Sequence, residues 1–165
     1  MTDIIKHECG IALIRLRKPL EYYLGKYGTA FYGFYKLHLL MEKQHNRGQD
    51  GAGIASIKLD PDPGQQYIDR ERSNTSTPIN DLFIKVYDRI RELDQKTPAR
   101  LKDIAWLKSN QKFIGEVYLG HLRYGTFGQN NIKNLHPVLR YNNWMTRNLV
   151  LAGNFNMTNV DELFT

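Results

Sequence analysis

Cys9, Arg123 and Asn154 are residues of this chain whose side-chain types and immediate neighbours could each serve chemistry, as a nucleophile, a carboxylate binder and an oxyanion donor. Cys9 is the only cysteine among 165 residues, and it stands directly before Gly10 and the apolar run Ile11, Ala12, Leu13 and Ile14. A thiol becomes a strong nucleophile once a base has taken its proton. A free α-amino group, with a pKa near ~8, can be that base when the nucleophile is itself the first residue. Eight residues precede Cys9, so this arrangement requires their removal. The alternative use of a lone cysteine is as a small buried hydrophobe.

The stretch RGQDGAG, Arg47 to Gly53, has three glycines in seven positions. Such spacing lets backbone N–H groups face a polar ligand or another segment closely, and it equally suits a helix C-cap and turn. It lacks the Gly-Lys-Ser/Thr ending of a phosphate-binding loop and is not a dinucleotide fingerprint. In GHLRYGTFG, Gly120 to Gly128, Arg123 stands where a strand passes into a loop. Its planar guanidinium matches the two oxygens of a carboxylate, which a lysine would meet only as a point charge. In LAGNFN, Leu151 to Asn156, the amides of Asn154 and Asn156 lie beside a glycine, and an Asn amide with a backbone N–H can form an oxyanion hole. The five histidines, His7, His38, His45, His121 and His136, show no close metal-ligand spacing, and there is no Gly-x-Ser-x-Gly elbow.

The elements that must position these residues can be read from periodicity. Ile11 to Ile14 make a short apolar run of the kind that forms a buried, central strand, and Gly53 to Leu59 forms a second strand ended by the turn Asp60 to Gly64. Between them Phe31, Phe34, Leu37, His38 and Met41 recur at helical spacing, predicting a helix over about 29–43 that stops at the break around Gln44 to Gly53. Gln65 to Thr77 is polar and reads as loop. Leu82, Phe83, Val86, Tyr87, Ile90 and Leu93 then follow a 3.6-residue period, with Asp81 as the expected N-cap. A further helix is expected with Thr97 as N-cap, Pro98 at its first position and Leu101, Ile104 and Ala105 on one face. Gly115 to Gly125 and Arg147 to Phe155 supply two more strands. The sum is a mixed α and β domain with helices inserted between strands.

Composition bounds what such a domain can be. The hydrophobic share of 41% suffices for one core, and one domain is expected. Met1 to Glu8 has no apolar signal-peptide core, no apolar run approaches the ~20 residues of a membrane span, and one cysteine cannot form an internal disulfide. A cytoplasmic, reducing setting is therefore expected. The net charge of +6 permits an anionic partner. Asp88 to Lys112 concentrates the basic residues but interleaves acids with them, as on a solvated helix face. A different class of function, a nucleic-acid-binding module built on Lys85, Arg89, Arg91, Arg100, Lys102 and Lys108 with Tyr87 and Trp106, is disfavoured by that even mixing.

Taken together and in order, CGI, RGQDGAGIA, GHLRYGT and LAGNFNMTN resemble the glutaminase domain of class II glutamine amidotransferases, a branch of the N-terminal-nucleophile hydrolases. QHNRGQ and HLRYGT are most similar to the corresponding stretches of the amidophosphoribosyltransferases of purine synthesis. The resemblance runs from Cys9 to the end of the chain, with longer connections at Leu16 to Phe34 and Gln65 to Lys112. It implies an α+β fold, the four-layer αββα sandwich, incomplete in residues 9–165. Met1 to Glu8 would be a propeptide-like leader. By the same resemblance Cys9 would attack the side-chain amide of glutamine with its own α-amine as base, and Arg123 would bind the α-carboxylate. Arg47 and Gly48 would shape the pocket, Tyr124, Gly125 and Thr126 would complete substrate binding, and Asn154 would supply the oxyanion amide. Phe155 stands where the family has a glycine whose N–H faces the oxyanion, and Asn46 splits the family's His-Arg pair.

The family further implies a synthase domain, beyond this chain, that binds phosphoribosyl pyrophosphate and any Mg. This domain would need no cofactor of its own, and the full-length protein would be a homo-oligomer. The same module serves glucosamine-6-phosphate, glutamate and asparagine synthesis, so the acceptor is open at this point. A catalytically degenerate member, with Phe155 as its mark, is the remaining alternative within the family.

Overall fold

The computed structural model describes residues 8–125, 131–154 and 162. Along residues 10–15 covered and open side chains alternate, as in a strand with one face packed. This is β1 (Gly10–Arg15), followed by α1 (Leu20–Tyr27), α2 (Tyr32–Lys43), β2 (Gly51–Ile57), β3 (Ile68–Ser73), α3 (Pro78–Lys96), α4 (Ile104–Asn110), β4 (Val117–Arg123), β5 (Val138–Arg140) and β6 (Leu149–Leu151). Short 3-10 turns occupy His45–Arg47, Pro98–Lys102, Ile132–Asn134 and Met145–Arg147. None of the described helices is long and apolar enough to cross a membrane.

Four strands form one antiparallel sheet in the order β1-β4-β2-β3, and β5 pairs with β6 in a second, two-stranded sheet. The domain is thus of the α+β class, with helices gathered on one face of an antiparallel sheet. α2 lies against β1 and β4, and α3 against β2 and β3. Their apolar stripes, Phe34, Leu37 and Met41 from α2 and Leu82, Phe83 and Val86 from α3, meet Ala12, Ile54, Tyr118 and Leu122 of the sheet in one buried cluster. Phe34 and Phe83 are in ring contact at 4.8 Å and join the two helices. Burying side chains of this size contributes about 1.5–3 kcal/mol each. The solvent side of α3 carries the pairs Arg91–Asp88 and Lys96–Glu92, so part of the basic stretch is a charged, exposed helix face.

The other face of the sheet is covered unevenly. Over β2 and β3 it is crossed by residues 131–137 and the β5–β6 hairpin. Arg72 donates to Leu135 O at 3.0 Å, and the Tyr141 hydroxyl donates to Ile68 O at 3.1 Å. On β1, Ile11 is 45% and Leu13 66% exposed.

Several expectations are corrected. Among the described residues β1 is an edge strand with an open face rather than a central one, because it pairs there only with β4. The polar segment 65–77 contains β3, whose residues Asp69, Glu71 and Ser73 carry no apolar alternation and which owes its state to pairing with β2. α1 occupies part of the Leu16 to Phe34 connection, and α2 begins at Tyr32 rather than near Thr29. α3 begins at Pro78, so Asp81 lies in its first turn, where its carboxylate accepts from the hydroxyls of Ser73, Thr75 and Thr77. Thr97 and Pro98 open only a 3-10 turn. Asp103 is the true cap of α4, accepting from Trp106 N–H at 2.9 Å, and Leu107 rather than Ala105 shares the buried face with Ile104.

Candidate active site

The strand register brings the scattered motifs to one end of the sheet. Gly10 pairs with Leu122, and Gly51 pairs with Arg123 from the other side. Cys9, one position before Gly10, therefore stands beside Arg123, and alternation puts both on the sheet face that Ile11, His121 and Gly53 share. Cys9 is partly exposed and forms no disulfide. Tyr124 closes the link, its N–H donating to the Cys9 Sγ at 3.5 Å while its carbonyl lies 4.0 Å from the same sulfur. Arg123 is only 9% exposed.

The glycine-rich stretch supports this corner rather than cradling a phosphate. Gly48 lies flat against β4, so close that a Cβ there would stand 2.6 Å from the carbonyl carbon and oxygen of Arg123. Asp50 clamps the turn from both ends: its N–H donates to Arg123 O at 3.2 Å, and its carboxylate accepts from Gly125 N–H at 2.7 Å. The backbone on either side of Tyr124 is thus tied to the loop that enters β2. Arg47 ends the 3-10 turn with its N–H bonded to Gln44 O at 2.8 Å, and its side chain is exposed to solvent.

Asn154 is exposed beyond β6, and its approach is set through Gly153. The Nδ1 atom of His136 lies 3.0 Å from Gly153 O and 3.3 Å from Gly153 N. The His136 ring packs against His121 at 4.8 Å, and the His136 carbonyl passes over β2 so closely that a Cβ on Gly53 would stand 2.0 Å from it. Burial drives the His121 imidazole down to about 4, with His136 and then Arg123 adding to the effect while the nearby Gly153 backbone opposes it. Neither His121 ring nitrogen has a hydrogen-bond partner among the described residues. His136 is lowered as well, by burial first, against the Gly153 backbone, with Arg123 and Arg72 adding smaller pushes downward.

No family model matches this chain, and neither does any curated protein or solved structure.

Of the residues expected to act, Cys9, Gly48, Arg123, Tyr124 and Gly125 converge at this corner, while Arg47 and Asn154 are exposed and, among the described residues, neither is hydrogen-bonded to Cys9. Phe155 and Thr126 lie outside the described residues, as do Met1 to His7. Asp50, His121 and His136 are the local participants that sequence reasoning passed over. His121 had a signal, since it stands two residues before Arg123 in a strand and must share its face. Asp50 and His136 had none, because their roles arise from loops meeting across the sheet. Chemically, the corner offers a partly exposed cysteine, a backbone donor to its sulfur and a buried guanidinium on the same face. The Cys9 nitrogen is an amide within the peptide bond to Glu8 and, with its lone pair delocalised, cannot accept a proton near neutral pH. A base role for that nitrogen requires cleavage of the Glu8–Cys9 bond.

Proposed function

We propose that this chain is the glutaminase domain of a class II glutamine amidotransferase, built on the four-layer αββα plan, and that its ammonia goes to phosphoribosylamine formation. The observation that carries the reading is the convergence of Cys9, Arg123 and the Tyr124 N–H at one sheet end, from motifs more than a hundred residues apart. In the processed protein the Cys9 α-amine takes the thiol proton and the sulfur attacks the side-chain carbon of glutamine. A tetrahedral oxyanion forms, with the Asn154 amide as its donor. Collapse expels ammonia, which leaves with the proton held by the α-amine, and water then cleaves the thioester to glutamate and restores the thiol. Arg123 orients the substrate through its α-carboxylate, for which a two-pronged donor on a fixed strand end is suited.

The test uses the full-length protein from its host. A glutamine-mimicking electrophile is expected to label Cys9 alone, in a protein whose mature N-terminus is Cys9, and Cys9→Ala is expected to abolish glutamine hydrolysis. Full activity in protein that retains Met1 to Glu8 would sink the mechanism. The acceptor is decided separately, by phosphoribosylamine formation from phosphoribosyl pyrophosphate and glutamine.

A further inference from the structure

We propose that His136 is the positioning residue that fixes Gly153, and through it the segment that presents the Asn154 amide to the oxyanion; the proposal rests on the glutaminase reading above. His136 is held from two directions and in turn holds a third element. Its carbonyl lies across Gly53, where only a glycine leaves room, so its backbone cannot shift toward the sheet. Its ring rests on His121, which is 2% exposed and rises from β4 on the Arg123 face. Its Nδ1 meets both backbone polar atoms of Gly153, at 3.0 Å to the oxygen and 3.3 Å to the nitrogen.

These two contacts use one ring atom. A protonated Nδ1 donates to the Gly153 carbonyl, whereas an unprotonated Nδ1 accepts from the Gly153 N–H. Either tautomer ties the same residue, so the strand end carrying Asn154 is anchored to β2 and β4 rather than left to its own three-residue strand, β6. The anchor matters because β5 and β6 form a separate two-stranded sheet, and such a pair is marginally stable alone. An oxyanion donor is effective only if its position is set before charge develops. His136 therefore links the strand that bears Arg123 to the segment that bears Asn154.

The experiment compares two substitutions in the full-length protein. In His136→Asn the side-chain amide falls where Nδ1 was, and in His136→Gln it falls about where Nε2 was. His136→Gln is expected to lower kcat for glutamine hydrolysis about 10- to 100-fold with KM within about twofold, below the loss from deleting an oxyanion donor outright. His136→Asn is expected to keep kcat within about threefold, since the Gly153 bond survives. Equal losses in the two variants, a wild-type kcat in His136→Gln, or a loss expressed in KM alone would overturn the proposal.

Amide hydrogen exchange over residues 149–154 needs no activity and reads the same contact. Exchange is expected to quicken about tenfold or more in His136→Gln and to stay near wild type in His136→Asn, as for a local opening whose anchoring bond is lost. Unchanged exchange in His136→Gln refutes the anchor. A wild-type protein that never hydrolyses glutamine would end the functional reading, while the exchange comparison would still decide whether His136 holds Gly153.

Discussion

His121 gives the domain an acid-sensitive seam whose size can be worked from its burial. The group is 2% exposed and its imidazole is driven down to about 4 from an ordinary 6.5, by burial first and then by His136 and Arg123. Because the folded value lies below the unfolded one, the unfolded chain takes up the proton first. The stability is complete above about 6.5 and is lost as pH falls toward about 4. At about 1.4 kcal/mol per pH unit, the full gap is worth about 3 kcal/mol, of which about 2 kcal/mol is lost between pH 7 and 4.5. His136 and His38 are also lowered by burial and push in the same direction. Asp69, raised by its own burial, works against them. The His121 share is isolated by comparison with His121→Phe, which keeps a ring against His136 and cannot titrate. Urea unfolding followed by tryptophan fluorescence at pH 7 and pH 4.5 is expected to show the wild type losing about 2 kcal/mol more than the variant. Stability curves for the two proteins that stay parallel over this range would refute the reasoning.

Gly53→Ala would set a Cβ 2.0 Å from the His136 carbonyl oxygen and 3.0 Å from Pro137 Cδ. With the His136 backbone unable to yield cheaply, a loss of about 2 kcal/mol or more in urea unfolding is expected, together with displacement of the Leu135 to Pro137 segment. Gly25→Ala is the opposite case, since nothing lies within 4 Å of that position in the exposed interior of α1, and a gain of about 0.5–1 kcal/mol in the same assay is expected. Phe34→Ala removes the ring that joins α2 to α3 at a fully buried position, and calorimetry should register a loss of about 3–5 kcal/mol.

The two sides of the sheet divide the molecule's tasks. The helix-covered side supplies cohesion through Phe34, Phe83, Leu122 and their neighbours. The opposite side carries Cys9, Arg123 and His121 on a face where Gly51 and Gly53 leave room for the chain around Leu135 and His136 to lie against β2. A larger residue at either glycine would lift that chain and with it the anchor of Gly153.

Local sequence determined the parts whose signal is short-range. The 3.6-residue spacing of Leu82, Phe83, Val86, Tyr87 and Ile90 dictated α3, and the apolar run after Gly10 dictated a strand, because periodic burial is written into neighbouring residues. The residue types at the Cys9 corner, one thiol and one arginine at strand ends, were equally legible. Tertiary structure decided what depends on partners. β3 reads as a polar loop, yet it is a strand because β2 offers it a ladder, with the buried Asp69 carboxylate accepting from Phe113 N–H at 3.1 Å. The same pairing decided that β1 is an edge, since nothing in Ile11 to Ile14 records how many neighbours a strand will have. The meeting of Cys9 with Tyr124, of Asp50 with Gly125 and of His136 with Gly153 joins residues 115, 75 and 17 positions apart. Such contacts follow from sheet register and loop closure, which are global properties of the chain, so chemistry that is local in space stays dispersed in the sequence.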